Sequence, residues 1–342
     1  PNNYICSNMI LVTGATGLVG AHLVLSLLQK GEKVRATYRT LSAIDKTKNL
    51  FKTFDQLPLF ENIEWIEADI TYIPALENAF KGIDYVYHCA AIISFDDNDA
   101  ESMYKINTEG TANIVNLSLY YGIKKLCYVS SIAALGHHNK KSDWINEETD
   151  WNPELVNDDY SLTKYGAEME IQRGIQEGLN AVIVNPGIIL GAGFWNRTSG
   201  KLFPTVNKGL PFYTQGVCGY VDVADVVKAM ILLMEKEVSG ERFCLVSENL
   251  SYQEILNHVA QVLNKAKPKY YAPFWLTHTL YLITGLLAFL RIKKRYFTKS
   301  MSVHAHSKTY YDSSKIKKEL GFDFKPIPES IQEIGALFKS QL

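Results

Sequence analysis

The chain has 342 residues, enough for one large domain or two closely joined ones around a substantial core. Its 47% hydrophobic content and formal net charge of -1 describe an ordinary soluble globular protein and exclude a general electrostatic pull toward nucleic acid. Five widely scattered cysteines (Cys6, Cys89, Cys127, Cys218, Cys244), with no CxxC and no paired His spacing, point to a reduced, cytoplasmic protein without a metal. The first apolar run, residues 9–12, is too short for a signal peptide and leads into a glycine loop.

That run reads as a buried strand, and residues 18–29 read as a helix with apolar positions on most turns. Between them lies Thr13-Gly14-Ala15-Thr16-Gly17-Leu18-Val19-Gly20. Glycines there let the backbone turn sharply and approach a pyrophosphate, while the first amides of the helix face the anion. Gly14, Thr16, Gly17 and Leu18 are the expected cofactor-binding positions of this loop. The next strand, residues 33–38, ends at Arg39, with Arg35 inside it and Lys46 downstream. A carboxylate at this place would bind ribose hydroxyls and repel a 2′-phosphate, whereas a guanidinium binds the phosphate, so NADP(H) is favoured over NAD(H).

Strands then follow at residues 64–69, 85–89, 126–130 and 181–184, with helices at 108–121 and around Tyr160. Repeated strand-helix units with apolar strands predict an α/β fold, a Rossmann-type doubly wound parallel sheet. Tyr160 and Lys164 stand four apart, which on a helix places both on one face. The expectation is that the Lys164 ammonium lies beside the Tyr160 phenol and brings its pKa down from the usual ~10. The same spacing describes a surface pair, and it gains chemical meaning only beside a cofactor loop and a third polar group.

Read together, these segments resemble the extended short-chain dehydrogenase/reductases, also called the NAD-dependent epimerase/dehydratase family. Residues 13–20 resemble its TGxxGxxG loop, and Asp69-Ile70 its adenine-contacting step. His88-Cys89-Ala90-Ala91 is similar to the motif that floors the cofactor site, and Asn107 to the start of its N-x-x-G-T helix. Tyr160 and Lys164 match YxxxK, and Asn185-Pro186-Gly187 resembles the turn after the sixth strand, where the family more often has Arg before the Pro. Residues 220–225 resemble an element that returns to the nucleotide domain, and residues 34–39 look most like the dihydroflavonol 4-reductase and 3β-hydroxysteroid dehydrogenase branch.

The resemblance implies roles. Ser131, with Ser130 as the adjacent alternative, and Tyr160 would hydrogen-bond a substrate carbonyl, and Tyr160 would give the proton. Lys164 would hold the nicotinamide ribose and stabilise the phenolate. Asn107 would anchor its helix and relay protons, although a helix N-cap is equally natural for it. Cofactor contacts would come from Asp69, Ile70, Ala90, Ala91, Pro186 and Gly187 as well. Ile93, Phe95, Ser131, Ile132 and Tyr160 would line the reactive end of the substrate site. The pair His137-His138 reads as a solvated loop rather than a metal site.

Residues 1–187, with a returning segment at about 218–247, would form the NADP-binding domain; 188–217 and 248–342 would form a smaller, mostly C-terminal α/β substrate domain. The latter is rich in aromatics and contains the apolar run 274–290, followed by Arg291, Lys293, Lys294 and Arg295. That run predicts either a helix buried over a greasy substrate or, through residues 274–295, a peripheral membrane contact. The leading functional expectation is an NADPH-dependent reductase of a small, apolar carbonyl compound. The alternatives are an NAD-dependent nucleotide-sugar epimerase or dehydratase, a 3β-hydroxysteroid dehydrogenase-like enzyme, and a non-catalytic NADP-binding sensor. Such relatives often form homodimers.

Overall fold

The computed structural model of the protein describes residues 8–94, 96–136, 144–153, 158–289 and 297–342. It is built on alternating strands and helices: β1 (Met9–Thr13), α1 (Leu18–Gln29), β2 (Lys33–Tyr38), α2 (Leu41–Thr53), β3 (Glu64–Glu67), α3 (Ile73–Phe80) and β4 (Tyr85–His88). After β4 come α4 (Gly110–Tyr120), β5 (Lys125–Val129), α5 (Asp159–Gln176) and β6 (Ala181–Pro186). A seventh strand, Arg242–Leu245, returns to the same sheet, whose order by residue is 242–245, β6, β5, β4, β1, β2, β3. Every pairing in it is parallel. Such a sheet is covered on both faces, so its strands are apolar on both sides. Val12, Cys127, Val182 and Val184 face one core with α1 and the helix Val223–Glu235, while Leu11, Val86, Leu126 and Ile183 face the other with α3, α4 and α5.

The chain order reverses between β1 and β4, which places the carboxyl ends of those two strands at the crevice where open α/β sheets bind ligands. A second unit lies above that edge. It has a three-stranded sheet (Ile188–Leu190, Val217–Asp222, Glu248–Ser251) and helices Tyr252–Val262 and Ile327–Lys339, packed around Phe203, Tyr220, Ile255, Ile331 and Phe338. The helix Tyr252–Val262 begins with a complete capping box between Ser251 and Glu254, a local signal legible in the sequence.

Two expected elements differ in detail. The strand at residue 64 ends at Glu67, because Asp69 turns back on the chain: its Oδ1 accepts from Thr71 N at 2.8 Å and Thr71 Oγ1 at 2.7 Å. The helix expected from residue 108 starts earlier, and Asn107 lies inside a π-helical turn, Tyr104–Glu109, that runs into α4. Asn107 is therefore not an N-cap; its backbone continues a helix and its side chain is free for another use.

Candidate active site

The glycine loop is shaped by contact as well as by conformation. Gly14 has φ +70, and a Cβ there would lie 2.6 Å from Ala90 N, so only glycine lets the turn settle on the end of β4. Gly17 N donates to Gly14 O at 2.9 Å, closing the turn. Gly17 then starts α1 with no side-chain cap, so the first amides of the helix face the loop. Thr47 Oγ1, fully buried on α2, donates to Ala15 O at 2.9 Å and pins the loop from behind. A cradle that any Cβ would fill, at an uncapped helix start, fits a pyrophosphate. Thr16 and Leu18 stand on this rim, and Ala90 and the exposed Ala91 continue it from β4.

At the end of β2 the two arginines separate. Arg35 is committed to structure: Nε donates to Glu64 Oε1 at 2.9 Å, and Nη1 to Ala79 O at 2.9 Å and Lys81 O at 2.6 Å. Arg39 is exposed and lies in the field of Lys46 together with Arg197, which comes from the second unit. The Lys46 ammonium is held below its ordinary range first by burial and then by these two neighbouring cations. Arg39 and Arg197 thus bring positive charge beside Lys46 at the end of β2. Arg197, from the second unit, is a further cation beside Arg39 whose place there is set by the fold.

A polar row crosses the sheet beneath the crevice. Thr13 pairs with His88 and His88 with Tyr128, so strands distant in sequence bring these three side chains to one level. Thr13 Oγ1 and His88 Nδ1 are 2.7 Å apart, and His88 Nε2 and Thr111 Oγ1 are 3.0 Å apart. Thr111 Oγ1 gives its proton to Asn107 O at 2.5 Å, which leaves it only as an acceptor for the ring. The direction of these bonds assigns the proton to Nε2. Burial, then the charge of Lys164, pushes His88 down to about 3, so the ring is neutral at physiological pH. His88 also stacks on Tyr128 with centroids 5.3 Å apart. It is a structural tie between cofactor loop and site, not a ligand.

Tyr160 lies in the first turn of α5, whose N-cap is Asp158: Oδ1 accepts from Ser161 N at 2.7 Å. Asp158 also holds His304 Nε2 at 3.0 Å and Ser300 Oγ at 3.2 Å. Ser131, just past β5, lies near enough to the Tyr160 phenol to lower its pKa, and its Oγ accepts from Ala133 N at 3.2 Å. Of the two adjacent serines, Ser131 is the one near Tyr160. Burial pushes Tyr160 up to about 12, against the pull of Ser131 and with the push of Asp158.

Lys164 differs from the simple expectation. Its ammonium is 1% exposed and donates to Tyr128 Oη at 2.6 Å and Val129 O at 2.9 Å. It also sits 4.4 Å from the centroid of the Tyr128 ring. Burial drives Lys164 down to about 7, with Glu168 and Cys89 opposing. The ammonium is thus anchored to Tyr128. Tyr128 reads in the sequence as a strand aromatic; only strand register reveals it as the partner of Lys164.

Asn107 acts as a clamp. Its Oδ1 accepts from Ile92 N at 2.8 Å, and its Nδ2 donates to Ile92 O at 3.0 Å and Thr163 Oγ1 at 3.1 Å. It ties the segment after β4 to the helix bearing Tyr160. Asn185, at the position where the resemblance favours Arg, donates to Ser131 O at 2.9 Å and to Glu168 Oε1 at 2.5 Å. Glu168 is fully buried and paired with Arg242 at 3.3 Å. Burial holds the Glu168 carboxyl above its ordinary range against the pull of Arg242, Asn185 and Lys164. Asn185, Glu168 and Arg242 thus support the backbone of Ser131 from behind.

The remaining expected positions divide. Asp69 is occupied by its own turn, and Ile70 is buried, its carbonyl accepting from Asn113 Nδ2 at 3.0 Å. Pro186 is buried in β6, and a Cβ on Gly187 would meet Gly219 O, so Gly187 serves a close chain crossing. Ile93 is exposed, as a lining residue can be, whereas Ile132 packs inward with Leu135, Ile145, Cys244 and Val246. Phe95, His137, His138 and the basic run at 291–295 lie outside the described residues.

Comparison with known proteins agrees with this geometry. A model of the NAD dependent epimerase/dehydratase family matches residues 10–245. The chain is 30% identical to a Synechocystis sp. protein provisionally named dihydroflavonol 4-reductase, covering 99% of this chain and 97% of the relative. It is 28% identical to sterol demethylase protein B of Methylococcus capsulatus (91% and 92%) and 30% identical to UDP-glucose 4-epimerase of Vibrio cholerae (95% and 92%). Among solved structures, gox2253 superposes with a TM-score of 0.79 at 28% identity, covering 98% of each chain.

Proposed function

Because the chain belongs to the NAD dependent epimerase/dehydratase family, and is thereby an NAD(P)-dependent enzyme of the oxidoreductase type, we propose that it reduces an apolar ketone or aldehyde with NADPH. The observation that carries this reading is Arg39, exposed at the end of β2 while Arg35 is held by Glu64, Ala79 and Lys81, with Lys46 and Arg197 as neighbouring cations. A 2′-phosphate relieves their mutual repulsion, and an adenosine lacking it does not.

When bound, the reduced nicotinamide supplies a hydride to the carbonyl carbon. The chain supplies the rest. Ser131 Oγ and Tyr160 Oη converge on the carbonyl oxygen, so charge developing there meets preorganised donors. Tyr160 Oη transfers its proton to that oxygen. A phenol held up at about 12 in the free protein keeps its proton until substrate arrives. Lys164, anchored to Tyr128, holds positive charge one helical turn below the phenolate left behind. The Asn107 clamp and the Asn185–Glu168 pair fix the two segments that carry Tyr160 and Ser131.

Two relatives named as a reductase and a sterol-processing protein support a carbonyl chemistry on apolar substrates. The epimerase relative supports a second reading, turnover of a nucleotide sugar on tightly held NAD. The deciding experiment is titration with NADPH and NADH, followed by cofactor oxidation against ketones, aldehydes and UDP-sugars. NADPH preference with ketone turnover, abolished in Tyr160→Phe at unchanged cofactor affinity, is the expected result. Tight NAD with sugar turnover would sink the reductase reading.

A further inference from the structure

The helix Phe274–Phe289 is turned inside out. Its 16 residues carry no Asp, Glu, Lys or Arg, and a helix of that composition normally points its apolar side chains at a core. Here, among the described side chains, the buried positions are threonines. Thr277 and Thr284 are 7% and 1% exposed, whereas Trp275, Leu282 and Ile283 are 67%, 55% and 50% exposed. The threonines are held inward by hydrogen bonds. Thr277 Oγ1 lies 3.0 Å from both Ser302 Oγ and His306 Nε2, and Thr284 Oγ1 donates to Phe297 O at 2.9 Å. Trp275 and Leu282 are seven apart, so they share the outward face. The surface extends further, because Phe274 and Tyr271 both pack on His306, and the exposed Tyr270 packs on the exposed Phe212.

The segment that carries this surface is basic. Residues 255–311 contain nine Lys and Arg and no Asp or Glu, in a chain whose total is -1, and five of the nine, Lys265, Lys267, Lys269, Lys299 and Lys308, lie among the described residues. Lys265, Lys267 and Lys269, all exposed, lead directly into Tyr270, and Lys299 and Lys308 are exposed on the far side.

We infer that this face docks on an anionic lipid bilayer. Aromatic and aliphatic side chains enter the headgroup boundary while the lysines meet lipid phosphates. The contact is interfacial: 16 residues span about 24 Å, short of the ~30 Å hydrocarbon core. No helix among the described residues is long and apolar enough to cross a membrane. The helix that bears this face is tied to the candidate site through its inner side: Thr277 meets Ser302 and His306, and the same segment supplies the Ser300 and His304 contacts to Asp158, the cap of α5. The inference stands whether or not the reductase reading holds, because its readout is lipid binding and not turnover.

The test uses the full chain in flotation with vesicles of phosphatidylcholine alone and with about one-third phosphatidylglycerol. Flotation with the anionic vesicles, weakened by salt, is expected. Tryptophan quenching by lipids brominated near the headgroup should fall in Trp275→Phe. Leu282→Glu with Ile283→Glu should weaken partition on the order of tenfold or more at unchanged NADPH affinity. The inference is overturned by absence of flotation, by equal flotation with both vesicle types, or by a Trp275→Phe chain quenched like the natural one. A dimer in ultracentrifugation that Leu282→Glu converts to monomer would assign the face to a second copy and overturn it too.

Discussion

Lys164 makes a measurable prediction because it is a cation with almost no contact with water. Its amine sits at about 7 in the folded protein against 10.5 for the ordinary side chain, chiefly through burial. Below about pH 7 both folded and unfolded chains hold the proton, and the full cost of burying it, of the order of 4–5 kcal/mol, is present. Between about pH 7 and 10 the unfolded chain binds a proton that the folded chain lacks, so stability rises with pH, by about 1.4 kcal/mol per pH unit from this group alone. Other groups titrate in the same range, and the buried tyrosines oppose the trend. The quantity to measure is therefore the difference between the natural chain and Lys164→Met, from urea unfolding at a series of pH values. That difference should grow in favour of the natural chain by about 2–3 kcal/mol between pH 7 and about pH 9. Parallel curves would refute the reasoning. They would mean that the ammonium is already compensated by Tyr128 Oη and Val129 O. Lys164→Met should at the same time lose turnover, so that a residue costly to the fold is retained for the site.

Three other outcomes follow from the geometry. Gly14→Ala forces a Cβ against Ala90 N at a positive φ; it should cost about 1–3 kcal/mol in thermal or urea unfolding and abolish cofactor binding in fluorescence titration. Arg39→Asp should weaken NADPH by roughly tenfold to a hundredfold and leave NADH nearly unchanged, whereas Arg35→Ala should lower stability without changing the NADPH-to-NADH ratio. Burial acts to raise Asp158, but His304 and Ser161 outweigh it and hold the carboxyl at about 2. Its stabilising effect is complete above the ordinary carboxylate pKa and is lost as pH falls through about 2. Asp158→Ala should accordingly cost about 0.5–2 kcal/mol near neutrality and remove that part of the acid unfolding curve.

The parts of the site written in contiguous residues were legible in the sequence. The glycine loop is local: it needs one backbone turn between an apolar strand and an apolar helix, and glycines at fixed spacing encode it. Ser131 and Tyr160 were legible as a serine past a strand and a tyrosine in a helix's first turn, and the structure brings Ser131 close enough to influence the phenol. Asn107 was legible both as an anchor and as a cap. The π turn excludes the cap and leaves the side chain as a clamp between segments 15 and 56 residues away.

The sequence by itself determined the fold class, the dinucleotide loop and the residue types at the reacting end, because backbone torsion and strand-helix periodicity are set by near neighbours. Tertiary structure alone decided the partners. Which arginine is left exposed at the end of β2 depends on whether the other finds Glu64 and the carbonyls of Ala79 and Lys81. That Lys164 meets Tyr128 depends on α5 packing against β5, which chain order does not state. The outward face of the helix Phe274–Phe289 depends on hydroxyl partners supplied by residues 297–306. Hydrogen bonds and charges act over a few ångströms in space, and chain order carries no information about which distant groups will share that distance.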